Sequence, residues 1–211
     1  MRTCHANNLI TTNPNPWLAL FADSQPGDRL TELLSHNPVG LPALLGNADS
    51  ISAGPKPFHS GSVLKHMARC MNECAGDLLA VWLAMAHDAG KLNTPQALLP
   101  HHYGHEIRGK KLARIWAGQM KLSEQWADYG SYGAEQHMRA AKFFKMRPGK
   151  KLSLLKEINK KGIAKSFWRL IDADTRHPYS QIMLNLGAKV GEWEGVPEHK
   201  QILMLADLCR Q

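Results

Sequence analysis

The stretch from Leu78 to Ala89 is apolar around nearly its whole circumference. Leu78, Leu79, Val81, Trp82, Leu83 and Met85 leave no polar face for water, so a helix here has to be enclosed by others. Gly90 is placed to end it. The segments around it read as that enclosing layer. Ser62 is a helix N-cap, and Val63, Leu64, Met67 and Met71 follow at helical spacing, predicting an amphipathic helix over 62–75. Gly76-Asp77 supplies a turn and a cap. After a loop at 91–105, helical patterns recur at 106–121, 123–145, 151–160, 162–175, 178–190 and 198–209. Breaks fall at Pro148-Gly149, Gly162, Pro178, Gly191 and Pro197. No alternating run suggests a strand, and no repeat is evident. The expected class is all-α, a helical bundle with short connections.

Residues 1–61 differ in texture. Asn13-Pro14-Asn15-Pro16, Pro26-Gly27, Asn37-Pro38 and Gly54-Pro55-Lys56-Pro57 cut them into short pieces, with two brief helices expected near 16–23 and 28–36. The chain's 211 residues suit one domain, and its 44% apolar content is ordinary for a globular protein. No run approaches the roughly 18 apolar residues of a spanning helix. Met1 to Ile10 lacks a signal-peptide layout. Cys70 and Cys74 lie four apart on one predicted helix, a spacing that does not favour a bridge. A reducing, cytoplasmic setting without a membrane partner is expected.

The net charge of +8 is localised. Between Lys142 and Arg169 there are ten basic residues and one acid, Glu157, whereas the remainder is nearly balanced. Lys145, Arg147, Lys150, Lys151, Lys160, Lys161 and Lys165 are the candidate contacts to a polyanion such as RNA. A solvated helical face is the alternative. Nothing in the pattern reads bases, so such binding should be salt-sensitive and weakly sequence-specific.

Chemistry concentrates at His87-Asp88, which closes the most apolar helix. An unpaired carboxylate is costly to bury, but imidazole and carboxylate side by side make sense around a cation. His66 lies twenty-one residues earlier, on the other arm of a helical hairpin. Lys91 follows at the helix end, where it can meet a phosphate oxygen or simply complement the helix dipole. Asp172 and Asp174 offer carboxylates on a late helix. Buried structural thiols are the favoured reading of Cys70 and Cys74. Trp82, Trp116, Trp126 and Trp168 read as core.

The order His66, His87-Asp88, Lys91, Asp174 resembles the HD phosphohydrolase superfamily. The local match is closest to the C-terminal HD domain of bacterial tRNA nucleotidyltransferases, the CCA-adding enzymes. Ala86-His87-Asp88-Ala89-Gly90-Lys91, Thr94-Pro95, Pro100-His101-His102-Tyr103-Gly104-His105-Glu106, Met146-Arg147-Pro148-Gly149 and Asp172-Ala173-Asp174-Thr175-Arg176 carry the resemblance, over roughly residues 59–178. It implies an HD-domain helical bundle with His66, His87, Asp88 and Asp174 as metal ligands, Asp174 rather than Asp172. His102 and His105 match loop histidines that line the site or hold a second ion, and His137 matches a histidine of the following helix. Where the family often has two adjacent histidines, this chain has Gln136-His137, which speaks against a dinuclear site. The family's polymerase head has no counterpart in the roughly 60 residues before residue 59, so CCA addition is not expected.

What the resemblance implies is hydrolysis of nucleotide or RNA-end phosphate esters, of the 2′,3′-cyclic phosphodiesterase, 2′-nucleotidase or phosphatase kind, with a divalent ion: Ni, Mn, Co, Mg or Zn. In that scheme the ion lowers the pKa of a water and Asp88 orients the nucleophile. Lys91 and Arg108 clamp phosphate, and His102 or His105 protonates the leaving oxygen. A 5′-nucleotidase or guanosine tetraphosphate hydrolase is the enzymatic alternative, and a non-catalytic RNA-binding module the alternative of another class. The expected organisation is an arm at 1–58, the hydrolase core at 59–178, and helices at 179–211 packed on it.

Overall fold

A computed structural model describes residues 15–36, 41–55 and 61–210. The expectation for Met1 to Ile10 lies outside them. The architecture is all-α: α1 (Pro16–Phe21), α2 (Pro26–Ser35), α3 (Val63–Glu73), α4 (Leu78–Ala86), α5 (His105–Gln119), α6 (Glu124–Ala140), α7 (Pro148–Lys161), α8 (Ala164–Thr175), α9 (Ser180–Gly191) and α10 (Glu198–Leu208). Among the described residues no helix is long and apolar enough to cross a membrane.

Helix α4 is the axis of the bundle. Every residue from Ala80 to Ala86 is buried, and α1, α3, α5, α6 and α8 all pack against it. Each large side chain enclosed there contributes about 1.5–3 kcal/mol. The polar ends are satisfied as well. Asp77 caps α4 by accepting from the Ala80 amide at 3.0 Å, and Ser166 of α8 donates its hydroxyl to the same carboxylate. The Trp82 indole donates to the Trp126 carbonyl at 2.9 Å. Trp82, Trp116 and Trp168 are fully buried, while Trp126 is half-buried and stacks on Phe21 of α1. The short N-terminal helices therefore pack on the same core. Helices α9 and α10 lie against α7, with α9 also against α8.

Missing side chains set how closely α4 is wrapped. A Cβ at Gly130 of α6 would lie 2.6 Å from the Trp82 ring, and one at Gly133 would lie 2.9 Å from Leu83 Cδ2. The tightest approach involves Gly90. Helix α4 stops at Ala86, and Gly90 sits in a short 3₁₀ turn, Ala89–Asn93, instead of terminating the helix. A Cβ there would be 1.9 Å from the His105 carbonyl oxygen and 2.5 Å from the Gly109 nitrogen. Its function is to let the first turn of α5 lie directly on the residues that follow α4.

Other boundaries also differ from expectation. Pro148 begins α7 rather than breaking the chain, because proline's fixed φ and missing amide suit the first helical position. The pattern over 123–145 ends at Ala140, and a separate 3₁₀ turn covers Phe143–Lys145. Gly90→Ala is expected to lower stability by roughly 1–3 kcal/mol through this overpacking. Urea unfolding should show a lower midpoint with an unchanged slope; an unchanged midpoint would mean that the two backbones can separate freely.

Candidate metal centre

Five helices and the turn after α4 converge at the end of α4. His66 comes from the first turns of α3, His87 and Asp88 from the exit of α4, and Lys91 from the turn beyond. His105 opens α5, His137 lies in the last turns of α6, and Asp174 lies at the end of α8. His87, Asp88, Lys91, His105 and His137 are buried, and His66 and Asp174 are half-buried.

Asp88 is shared by two groups. Its Oδ2 lies 3.3 Å from Nε2 of both His66 and His87, and 2.7 Å from Lys91 Nζ. The two imidazole Nε2 atoms are 3.1 Å apart, and Asp174 Oδ1 lies 3.2 Å from that of His66 and 3.7 Å from that of His87. On the other side, Asp88 Oδ1 faces Nε2 of His105 at 3.3 Å and of His137 at 3.6 Å, with those two nitrogens 3.2 Å apart. Among the described residues Asp88 Oδ1 is a buried oxygen without a hydrogen-bond partner.

Proton positions explain why this arrangement suits a cation. Nδ1 of His87, His105 and His137 faces the carbonyl oxygen of Ala84, His102 and Ala134 at 2.8, 2.9 and 2.9 Å. A carbonyl only accepts, so each Nδ1 carries a hydrogen, and each ring, once neutral, offers an Nε2 lone pair. Two lone pairs and a carboxylate oxygen converging at these separations repel unless a positive charge lies among them. Ligand atoms about 2.1 Å from an ion lie roughly 3.0–3.4 Å apart in octahedral or tetrahedral arrangements, close to the spacings found. At His66 the roles reverse. Arg69 Nη2 donates to its Nδ1 at 3.3 Å, so Nε2 carries hydrogen toward its neighbours. Holding an ion there requires that hydrogen to move to Nδ1 and Arg69 Nη2 to turn away from it, while Arg69 Nη1 keeps its 2.6 Å bond to the Ala173 carbonyl. Both groups of residues fit a metal ion.

Without an ion the charges offset one another: His87 is held protonated, and a metal at its Nε2 would displace that hydrogen. Burial opposes ionisation of Asp88, but Lys91 and the imidazoles prevail and hold its carboxyl well below the usual range. Burial likewise opposes charging of His87, yet Asp88 and Asp174 push it up to about 10. His105 behaves oppositely: burial lowers it to about 4, against the pull of Asp88. It is thus a neutral imidazole near pH 7, the form in which histidine binds metal.

The structure brings together His66, His87, Asp88, Lys91, Asp174, His105 and His137. His137 joins Asp88 and His105 in a second cluster of possible donors, with Gln136 standing where the resembled family often has a histidine. Asp172 is elsewhere: its Oδ1 accepts from the Tyr179 and Ser180 amides at 2.7 and 2.9 Å and anchors the start of α9. His102 and Arg108 are both engaged in hydrogen bonds. His102 is spanned between the Ser52 carbonyl at Nε2 and the Thr94 hydroxyl at Nδ1. Arg108 donates to the Gly90 and Tyr103 carbonyls and to Thr94 Oγ1.

The basic residues do not share one hollow. Arg147 and Lys150, with Arg139, line a cavity of about 580 Å³, while Lys165, with Arg169 and Arg176, lines another of about 630 Å³. Lys145 and Lys160 are exposed. Lys161 lies 5.0 Å from the centre of the Tyr132 ring. Lys151 is only 7% exposed and lies over Phe143, so it is not a surface contact. The cavity beside the carboxylate–histidine cluster measures about 430 Å³ and is lined by Asp88, Lys91, His105, His137, Lys142 and Asp174, among others.

Over part of its length the chain is related to curated proteins named Multifunctional CCA protein. The protein of that name from Actinobacillus pleuropneumoniae serotype 5b is 33% identical over 90 residues, covering 43% of this chain and 22% of the relative. Those from Haemophilus influenzae and Legionella pneumophila (strain Philadelphia 1) are 28% and 29% identical over 156 and 149 residues. They cover 67% and 68% of this chain, and 38% and 36% of the relatives. The chain thus spans well under half the length of these relatives. No family model matches it, and no solved structure does.

Arg69 escaped the sequence reading, and Cys70 lies nearer the centre than its reading as a structural thiol implies. Arg69 has no motif; only the fold shows that it ties His66 to α8. Cys70 lies one turn after His66, on the same helix face. Its Sγ is 3.8 Å from His66 Nε2, grouped with His87 and Asp174 as a possible donor, and burial together with Asp174 pushes its thiol up. A ligand at a hundredfold excess over its Kd adds about 2.7 kcal/mol, or roughly 5–10 °C in Tm for a chain this size. Ni, Mn, Co, Mg or Zn is expected to give such a rise in thermal melts, and Asp88→Asn to remove it. No rise with any of the five ions would count against the centre.

Proposed function

We propose that this chain is a metal-dependent phosphohydrolase of the HD type, acting on nucleotide or RNA-end phosphate esters. The observation that carries this reading is the single buried carboxylate, Asp88, held between two imidazole pairs at the wall of an open cavity. A bound divalent ion supplies Lewis acidity there, lowering the pKa of water in its coordination sphere and offsetting charge on the phosphoryl oxygens. His66, His87 and Asp174 would hold one ion and His105 and His137 the second, with Asp88 touching both.

The remaining chemistry belongs to the protein's own side chains. Lys91 Nζ is already committed to Asp88 Oδ2 at 2.7 Å. It thereby limits the negative charge an incoming phosphate meets, and it lies close enough to contact a phosphoryl oxygen. Lys142 lines the same cavity and adds a second cation. His102 and Arg108 act as positioning residues: they fix the wall formed by residues 94–108 through Thr94. In hydrolysis of a 2′,3′-cyclic ester, water oxygen bonds to phosphorus, one ribose P–O bond breaks, and the proton ends on the departing hydroxyl. The names of the related proteins support an RNA-end substrate, and the hollow of Arg139, Arg147 and Lys150 suits backbone phosphates. We assign the hydrolase core to residues 59–178, with an N-terminal arm at 1–58 and the C-terminal helices at 179–211 packed on the core, and place the protein in the cytoplasm.

Purified protein should hydrolyse at least one of 2′,3′-cyclic AMP, 2′-AMP, 5′-AMP and an aryl phosphate when given Ni, Mn, Co, Mg or Zn. Asp88→Ala is expected to lower kcat by more than about a hundredfold, beyond the loss typical of an outer partner, while circular dichroism stays helical. His102→Ala should act mainly on stability. Absence of turnover with every metal, together with salt-dependent RNA binding, would replace this reading with a non-catalytic RNA module. Full activity in Asp88→Ala would move the chemistry elsewhere.

A further inference from the structure

We propose that Tyr103 is a stacking platform for a nucleoside base, so that the cavity beside Asp88 takes nucleotide esters in preference to phosphate esters without a ring. This deepens the phosphohydrolase reading and rests on it. Tyr103 is 68% exposed, more than any other large apolar side chain among the described residues. It nonetheless lines the same cavity as Asp88 and Lys91. Its ring lies within 11° of parallel to that of His101, with centroids 5.3 Å apart, so the imidazole backs one face and the other is left to solvent.

The ring is displayed from a fixed backbone. Arg108 Nη1 donates to the Tyr103 carbonyl at 2.8 Å, and the His105 amide donates to the His102 carbonyl at 3.0 Å. Gly104 takes the left-handed turn, with φ +72°, and His102 next door is held at both ring nitrogens. A pre-positioned two-torsion side chain loses little freedom when a flat partner settles on it. The fold itself makes little use of this ring. A phosphate held near Lys91 and Lys142 leaves an attached nucleoside to extend along the cavity that Tyr103 also lines. Every base has a π face, so little distinction among the four bases is expected; loss of one such stack typically costs about tenfold in affinity.

Two measurements test the platform. The first compares kcat/KM for 2′,3′-cyclic AMP with that for glycerol 1,2-cyclic phosphate, a cyclic ester without a base. Tyr103→Ala should reduce the preference for the nucleotide about tenfold, mainly through KM, and Tyr103→Phe should keep it. The second needs no turnover. In saturation-transfer NMR with adenosine and the metal-loaded protein, the adenine protons should receive signal from the wild type and from Tyr103→Phe, but not from Tyr103→Ala. Equal losses on both esters, or adenine signal that persists in Tyr103→Ala, would overturn the platform while leaving the hydrolase standing. If the wild type hydrolyses neither ester, its action on cyclic esters fails, turnover of 2′-AMP, 5′-AMP and an aryl phosphate decides whether the hydrolase reading fails with it, and the adenosine signal still decides the stacking.

Discussion

A carboxylate enclosed at the end of an apolar helix sets the terms for everything packed around it. Removing Asp88 from water costs several kcal/mol unless its neighbours compensate. The surroundings supply one ammonium and four imidazoles, each drawn from a different place in the chain or a different side of the carboxylate. Such compensation demands that α3, α5 and α6 approach α4 at fixed distances. The site therefore depends on the packing, and the packing on residues that take up no space. Gly90, Gly130 and Gly133 contribute nothing to chemistry, yet without them α5 and α6 would stand further from α4 and from Asp88.

A division of labour follows within the His101–Arg108 segment. Its polar side chains look alike in sequence, but hydrogen-bond geometry assigns them different tasks. His105 directs Nε2 at Asp88 because its Nδ1 is spent on the His102 carbonyl. His102 has both nitrogens spent and serves as a strut. Arg108 is spent on three acceptors from three positions. An array of this kind holds a wall in place before any ligand arrives.

Much of the arrangement could be read from residue order alone. The uniformly apolar run through Trp82 and Leu83 demanded enclosure, and caps at Ser62 and Asp77 marked the hairpin that carries His66 to His87. The all-α class and most helices follow from such local signals. The expected grouping of His66, His87, Asp88 and Asp174 came from the family resemblance that their order carries. What remained hidden depends on distance in space. Nothing local shows that Gly90 admits the His105 backbone, that Arg69 reaches α8, or that Asp172 turns away to α9 while Asp174 turns inward. The role of Pro148 was misjudged because a proline that stops one helix is chemically the same as one that starts the next. Lys151 was counted with the surface charges because its neighbours in sequence are exposed, whereas its position on α7 places it over Phe143.

The two oxygens of Asp88 belong to one delocalised group, and this bears on how the centre would fill. Charge withdrawn through Oδ2 weakens what Oδ1 can donate, and the reverse holds equally. Occupancy of one position should therefore raise the dissociation constant of the other, by the same factor whichever loads first. Lys91, paired with the Oδ2 side, deepens the asymmetry by competing there alone. A pair of sites joined in this way loads in sequence rather than together, giving the protein a singly charged form over an intermediate range of metal concentration.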